Sequence, residues 1–206
     1  MRVLLSGFEP FGGADRNPSA EIVAAIAAEP PTGLDLATIV LPVETELAAE
    51  RLLEAWRTSG ADAVVMLGEA AGRQAVTPEA VAINLRDFPI ADNAGRTVED
   101  RPVVEEGPDA YFATLPIRAM VESIRAAGVP AARSLSAGSY LCNEVSYRML
   151  HEIAGSGRSA IAGFVHVPRM SEQLAGDANP GPSLPLGSLV TATRAALEAL
   201  SSHDAG

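Results

Sequence analysis

The sequence predicts an α/β protein, built on a mainly parallel sheet covered by helices on both faces. Three observations lead there. Short apolar runs alternate with stretches of helical periodicity along the whole chain. The helical stretches carry their own start and stop signals, and no internal repeat is present. Finally, 206 residues at 48% hydrophobic and 20% charged form an ordinary globular composition, long enough to bury a substantial core in one domain. The expected domain is 1–206, with 201–206 as a frayed tail.

In chain order, residues 2–6 form the first predicted strand, followed by the glycine-rich stretch GFEPFGG at 7–13. Asn17 is placed to cap a helix with Pro18 in its first turn and Ile22, Val23 and Ile26 on its apolar side. A second strand at 36–41 leads into TELAAERLLEAWRTSG, a helix that stops on Gly60. Strands are predicted at 63–67 and 81–85, before a long loop over 91–110. PIRAMVESIRAAG opens a helix on Pro116 and ends it at Gly128, and residues 132–135 read as a short strand. CNEVSYRMLHEIAG is helical, residues 160–167 form the last strand, GDANPGPSLPLG is a loop, and the final helix runs over about 187–200.

The net charge of −11, from 15 basic against 26 acidic residues, repels polyanions and argues against nucleic acid as a partner. No apolar run reaches the roughly 18 residues of a membrane span, and no secretory leader is visible, so a cytoplasmic location and no membrane partner are expected. A single cysteine excludes an internal disulfide and a thiolate metal cage. With three histidines and no H-E-x-x-H motif, no metal site is expected.

Ligands on such sheets sit beyond the carboxyl ends of the strands. This selects GFEPFGG, the SAGSYLCN segment and the end of AGFVHVP. GFEPFGG lacks G-x-G-x-x-G spacing, and its Glu9 would repel a phosphate. Its Phe8 and Phe11 either fold into the core or line an apolar ligand pocket. Cys142 shares a helical face with Val145, Met149 and Ile153, as a buried apolar cysteine would. It also stands in a first helical turn, where unpaired N–H groups and the helix dipole favour a thiolate nucleophile. Ser139 competes with it, but AGSYL is not the G-x-S-x-G elbow. Of the candidate bases, His203 lies in the tail and His151 points to the opposite side of the helix from Cys142, which leaves His166. His166 reads either as an ordinary strand-end histidine or as the base of a Cys–His pair. In TPEAVAINL the alternation puts Glu79 on a face with Val81, Ile83 and Leu85, so its carboxylate needs a partner. That partner is Arg73 or Arg86, or else His166. Glu79 reaches His166 only if its strand runs antiparallel to its neighbours.

Together, VLLSGFEPFGG, NPS, GEAAGR, TPEAVAINLRD, IADNAG, GPDAYFATLPIR, SAGSYLCNEVSY and GFVHVP resemble the type I pyroglutamyl peptidases, or pyrrolidone-carboxylate peptidases, over about residues 3–174. The resemblance implies a three-layer α/β/α sandwich on a mixed, mostly parallel twisted sheet with at least one antiparallel strand. It places the family's catalytic set on Glu79, Cys142 and His166, and its pyroglutamate pocket on Phe8, Phe11, Tyr140 and Leu141, with Ile90 as a further wall. It implies a cysteine exopeptidase that releases pyroglutamate from peptide amino termini through a thioester, without cofactor or metal. A homo-oligomer, dimer or tetramer, is implied too. Two departures stand out: Pro89 occupies the place of an arginine common in relatives, and Glu69 stands near the pocket rim where glutamine or leucine is frequent. A weakened or non-catalytic binding protein on the same fold, or a related cysteine amidase, are the alternative readings.

Overall fold

The structure, a computed structural model, describes residues 1–174 and 181–201. The predicted tail beyond Ser201, with His203, and the start of the second long loop lie outside the described residues.

The central sheet has the order β2-β1-β3-β7-β4. Its parallel part is formed by β1 (Arg2–Phe8), β2 (Asp35–Leu41), β3 (Ala63–Glu69) and β7 (Ile161–Val167). The edge strand β4 (Thr77–Pro78) runs antiparallel to β7, with Thr77 opposite His166. Successive side chains on a strand point to opposite faces, and the core divides accordingly. Val3, Leu5, Val65, Leu67, Val165 and Val167 face α1 (Pro18–Ala28), α3 (Ile117–Ala126) and α5 (Leu186–Ser201). Leu4, Val64, Met66, Ala162 and Phe164 face α2 (Leu47–Ser59) and α4 (Leu141–Ser156). The result is the expected α/β/α sandwich on a mixed, mostly parallel sheet.

The helix ends follow the sequence signals closely. The Asn17 side chain accepts from the Ser19 N–H, with Pro18 in the first turn. Gly60 closes α2 in the left-handed region at φ 64°, which glycine adopts without steric penalty. Trp56, 1% exposed, fixes the next turn by donating its indole N–H to Ala61 O at 3.1 Å.

Two predicted strands differ from what is observed. Residues 81–85 do not join the central sheet. The chain leaves it after Glu79, and β5 (Val81–Ile83) instead pairs antiparallel with β6 (Ala110–Phe112) as a separate ribbon. The fully buried Asn143 draws the chain away, accepting from Ile83 N–H and donating to the carbonyls of Ile83 and Leu85. The single face of Glu79, Val81, Ile83 and Leu85 is therefore broken after Glu79. Residues 132–135 form only one isolated parallel bridge, Glu79 with Ser134, and the adjoining Ala131 forms another with Val76. Leu135 is 65% exposed, so this segment has no apolar face to anchor a longer strand. A short parallel pair, β8 (Arg169–Met170) with β9 (Ser183–Leu184), completes the described elements. Among the described residues no helix is long and apolar enough to cross a membrane.

Candidate active site

The N-terminus of α4 meets the carboxyl ends of the parallel strands. Cys142 is the second residue of α4, half-buried, and its neighbours Val145, Met149 and Ile153 are buried against the sheet as the helical spacing requires. The sulfur rests on Gly68: a Cβ at Gly68 would lie 2.9 Å from Cys142 Sγ and 2.7 Å from the Phe164 ring. Gly68 is the register partner of His166 in the parallel β3–β7 pair. Partners in a parallel ladder project to the same face. The missing Gly68 side chain thus leaves the sulfur room on the face to which His166 projects.

His166 is 4% exposed and Glu79 is 2% exposed. The antiparallel turn of β4 brings them together, with Glu79 N–H donating to Phe164 O at 2.8 Å. His166 Nδ1 lies 2.7 Å from Glu79 Oε1. An imidazole that donates from Nδ1 to a carboxylate carries its lone pair on Nε2. Arg73 Nη1 donates to the same Oε1 at 2.6 Å. The two partners that the sequence offered as alternatives for Glu79 are therefore both present. Arg86 is not involved: it reaches Glu46 and the carbonyl of Pro102.

Burial opposes ionisation of Glu79, but the His166 hydrogen bond, the approach of Ser134 and the charges of His166 and Arg73 prevail and hold its pKa below the ordinary value. The Ser134 hydroxyl itself donates to Ser136 O at 3.3 Å, and Glu79 Oε2 has no hydrogen-bond partner among the described residues. Burial also lowers the pKa of His166, an effect that Glu79 opposes and Arg73 reinforces. Burial pushes the Cys142 thiol up to about 12. The charges of Glu79 and Glu69 add to that rise, while Arg73 and the residue's own N–H oppose it. The helix end favours a thiolate, but desolvation outweighs it. Desolvation thus favours the thiol form of Cys142 and the neutral imidazole of His166.

In front of Cys142 lies a cleft of about 320 Å³, part of it open to solvent, lined by Phe8, Phe11, Asn17, Val43, Glu69, Tyr140, Leu141 and Cys142. Phe8 does both things the sequence left open: it is 3% exposed in the core and still forms part of the cleft wall. Phe11 and Phe88 pack against Tyr140, with ring centroids 6.5 Å and 4.7 Å away. Glu9 anchors the cleft's outer loop, accepting from Val43 N–H at 3.1 Å and from Asn93 Nδ2 at 2.9 Å. The Glu69 carboxylate is held by Arg169 Nε at 3.3 Å and Gln173 Nε2 at 3.2 Å. Asn17 and Val43 were not singled out as lining residues in the sequence, although Val43 lies just beyond the end of β2 and Asn17, the cap of α1, closes the loop that follows β1. Ile90, 47% exposed, and the exposed Pro89 are not among the residues lining this cleft. Ser139 donates its hydroxyl to Asp87 O at 2.6 Å. His151 bonds Tyr111 through Nδ1 at 2.9 Å. Among the described residues no group of three or more His, Cys, Asp or Glu side chains could hold a metal ion.

The sequence profile of the family described as pyroglutamyl peptidase matches residues 1–203. A pyrrolidone-carboxylate peptidase of Thermococcus onnurineus is 45% identical over 192 residues, which is 93% of this chain and 94% of that protein. A mutant pyrrolidone carboxyl peptidase from the hyperthermophile Pyrococcus furiosus superposes with a TM-score of 0.94 at 36% identity, covering 98% of this chain and 99% of the other. Pyroglutamyl peptidase I of Bacillus amyloliquefaciens gives a TM-score of 0.94 at 34% identity, with 98% of each chain covered. A profile spanning nearly the whole chain, relatives of this identity and a shared fold agree: the chain belongs to the pyroglutamyl peptidase family.

Proposed function

We propose that this chain, as one peptidase domain, removes amino-terminal pyroglutamate from peptides with Cys142 as nucleophile, His166 as base and Glu79 as its orienting carboxylate. The observation that carries the reading is the 2.7 Å bond from His166 to the buried Glu79, on the sheet face where Cys142 Sγ rests against Gly68. In this reading His166 Nε2 takes the thiol proton as Cys142 attacks the pyroglutamyl carbonyl. A neutral resting pair makes that transfer part of the reaction itself. First-turn N–H groups of α4, including that of Cys142, stabilise the oxyanion. His166⁺ then protonates the departing amine, leaving a thioester, and water activated by His166 releases free pyroglutamate.

The pyroglutamyl group is a flat, uncharged lactam without a free amine. Phe8, Phe11, Tyr140, Leu141 and Val43 offer apolar faces for its ring, while Asn17 and Glu69 supply the polar edge of the cleft. Glu69 is paired with Arg169, which offsets its charge and keeps the cleft suited to a neutral ring. We extend the reading to a cytoplasmic homo-oligomer, dimer or tetramer. Association would cover the large apolar side chains of Phe112, 79% exposed, and Leu135, 65% exposed.

Hydrolysis of a chromogenic pyroglutamyl amide, with and without prior alkylation, tests the reading. Turnover abolished by iodoacetamide supports it. No turnover by the folded protein overturns it in favour of a binding protein, and turnover only on a different acyl amide would make the chain a related amidase.

A further inference from the structure

We propose that Arg73 is a positioning residue of this reaction: it holds the carboxylate that orients His166 and sets a fixed cation beside the Cys142–His166 pair. The inference rests on the assignment of Cys142, His166 and Glu79 above. Glu79 presents only one usable oxygen. Its Oε1 receives both His166 Nδ1 at 2.7 Å and Arg73 Nη1 at 2.6 Å, while Oε2 is buried without a partner among the described residues. Without Arg73 the carboxylate would depend on the imidazole it is meant to fix and on the approach of Ser134.

The guanidinium is itself anchored. Arg73 Nη1 also donates to Thr77 Oγ1, and Nη2 donates to Ser136 O at 3.2 Å. Thr77 is the register partner of His166, and Ser136 lies on the segment that leads into α4. One planar fork thus ties together the strand paired with that of the base, the orienting carboxylate and the approach to the nucleophile. A lysine ammonium could not reproduce that fan of bonds. The Arg73 side chain is 27% exposed, so water does not fully screen its charge.

The charges facing Cys142 are those of Glu79, Arg73 and Glu69; those facing His166 are Glu79 and Arg73, and Tyr140 senses both Asp92 and Cys142. Among these Arg73 alone is a permanent cation. It makes a proton on His166 less welcome and the loss of the thiol proton easier, so both pKa values rise when it is removed.

The test uses the full chain and its variants Arg73→Gln, Arg73→Met and Arg73→Lys, with circular dichroism confirming the fold. The readouts are the acid limb of kcat/KM on a pyroglutamyl amide and iodoacetamide alkylation of Cys142, the chain's single cysteine. Arg73→Gln and Arg73→Met should move the acid limb upward by about one pH unit, a roughly tenfold loss at a pH on that limb. Alkylation at pH 8 should slow by a similar factor. Arg73→Lys, which keeps the charge but not the fork, should shift the limb by less than half as much. An acid limb that superimposes on wild type in a folded neutral variant would overturn the proposal, whatever happens to kcat. Failure of both neutral variants to fold would also overturn it, marking Arg73 as purely structural. The catalytic assignment fails separately, if fully alkylated wild-type protein still hydrolyses the amide.

Discussion

Two imidazoles in this molecule make the same kind of bond in opposite settings. His166 Nδ1 meets a buried carboxylate oxygen at 2.7 Å at the carboxyl end of the sheet. His151 Nδ1 meets the Tyr111 hydroxyl at 2.9 Å, its ring lying nearly parallel to Tyr147 at 6.1 Å. The carboxylate both fixes the tautomer of its imidazole and stabilises the positive charge that the ring acquires on taking a proton. The phenol fixes orientation but offers no such charge. The difference teaches that the proposed base is set apart by its partner's charge and by the strand end it occupies, and not by being a hydrogen-bonded histidine.

The comparison breaks most directly by truncation. His166→Ala should lower kcat/KM by about 10³–10⁴-fold, whereas His151→Ala should stay within about twofold of wild type. Comparable losses in pyroglutamyl-amide assays of the two variants would erase the distinction. Replacing Glu79 with glutamine gives His166 a neutral partner, closer to what His151 has. About a hundredfold loss of kcat or more is expected, with KM little changed, because the amide cannot stabilise the imidazolium. Near-normal kcat in Glu79→Gln would show that orientation alone suffices.

Folding stability sharpens the contrast further. The folded-state pKa of His166 is lowered from 6.5, so its neutral form is favoured by folding. Its contribution is present above about pH 6.5 and is lost as pH falls through the folded value. The lowered pKa of Glu79, from 4.5, acts in the same direction at more acid pH. The raised pKa of Cys142 acts oppositely, its contribution being full below the ordinary value of 9.0 and declining as pH rises above it. Thermal midpoints should therefore be highest between about pH 6.5 and 9, and Cys142→Ala should soften the alkaline decline. An undiminished midpoint at pH 5 would contradict the buried neutral imidazole. The smallest effect belongs to Tyr111→Phe, which should cost about 1 kcal/mol in denaturant unfolding and leave turnover unchanged.

The regular half of the molecule was legible in the sequence because its signals are local and periodic. Asn17 capping α1, Gly60 ending α2 and the apolar face of Cys142, Val145, Met149 and Ile153 all follow from short-range chemistry. The edge around Glu79 was not legible in the same way. Its strand is two residues long, and its exit from the sheet is decided by Asn143, 60 residues away from the Ile83 N–H it accepts. No periodicity within TPEAVAINL reports so distant a bond. Alternation singled out Glu79 as a carboxylate in need of a partner, the family resemblance favoured His166 for it, and the antiparallel pairing this required is the one observed. Arg73 was visible only as one possible partner, because a sequence gives no sign that two donors converge on one oxygen. The strength of burial at Cys142 was equally hidden, since the helix start that favours a thiolate is local while the surrounding core is not.

The burial that favours an uncharged Cys142 thiol bears on durability as well as on rate. Peroxides and other electrophiles in a cell attack thiolates, and a thiol whose pKa is pushed up to about 12 offers them very little anion at neutral pH. Half-buried on a bare glycine, Cys142 is also shielded on the side where Gly68 and Phe164 crowd it. In the proposed mechanism, a nucleophile formed only while a carbonyl is in place leaves, in the same arrangement, an idle state that resists oxidation.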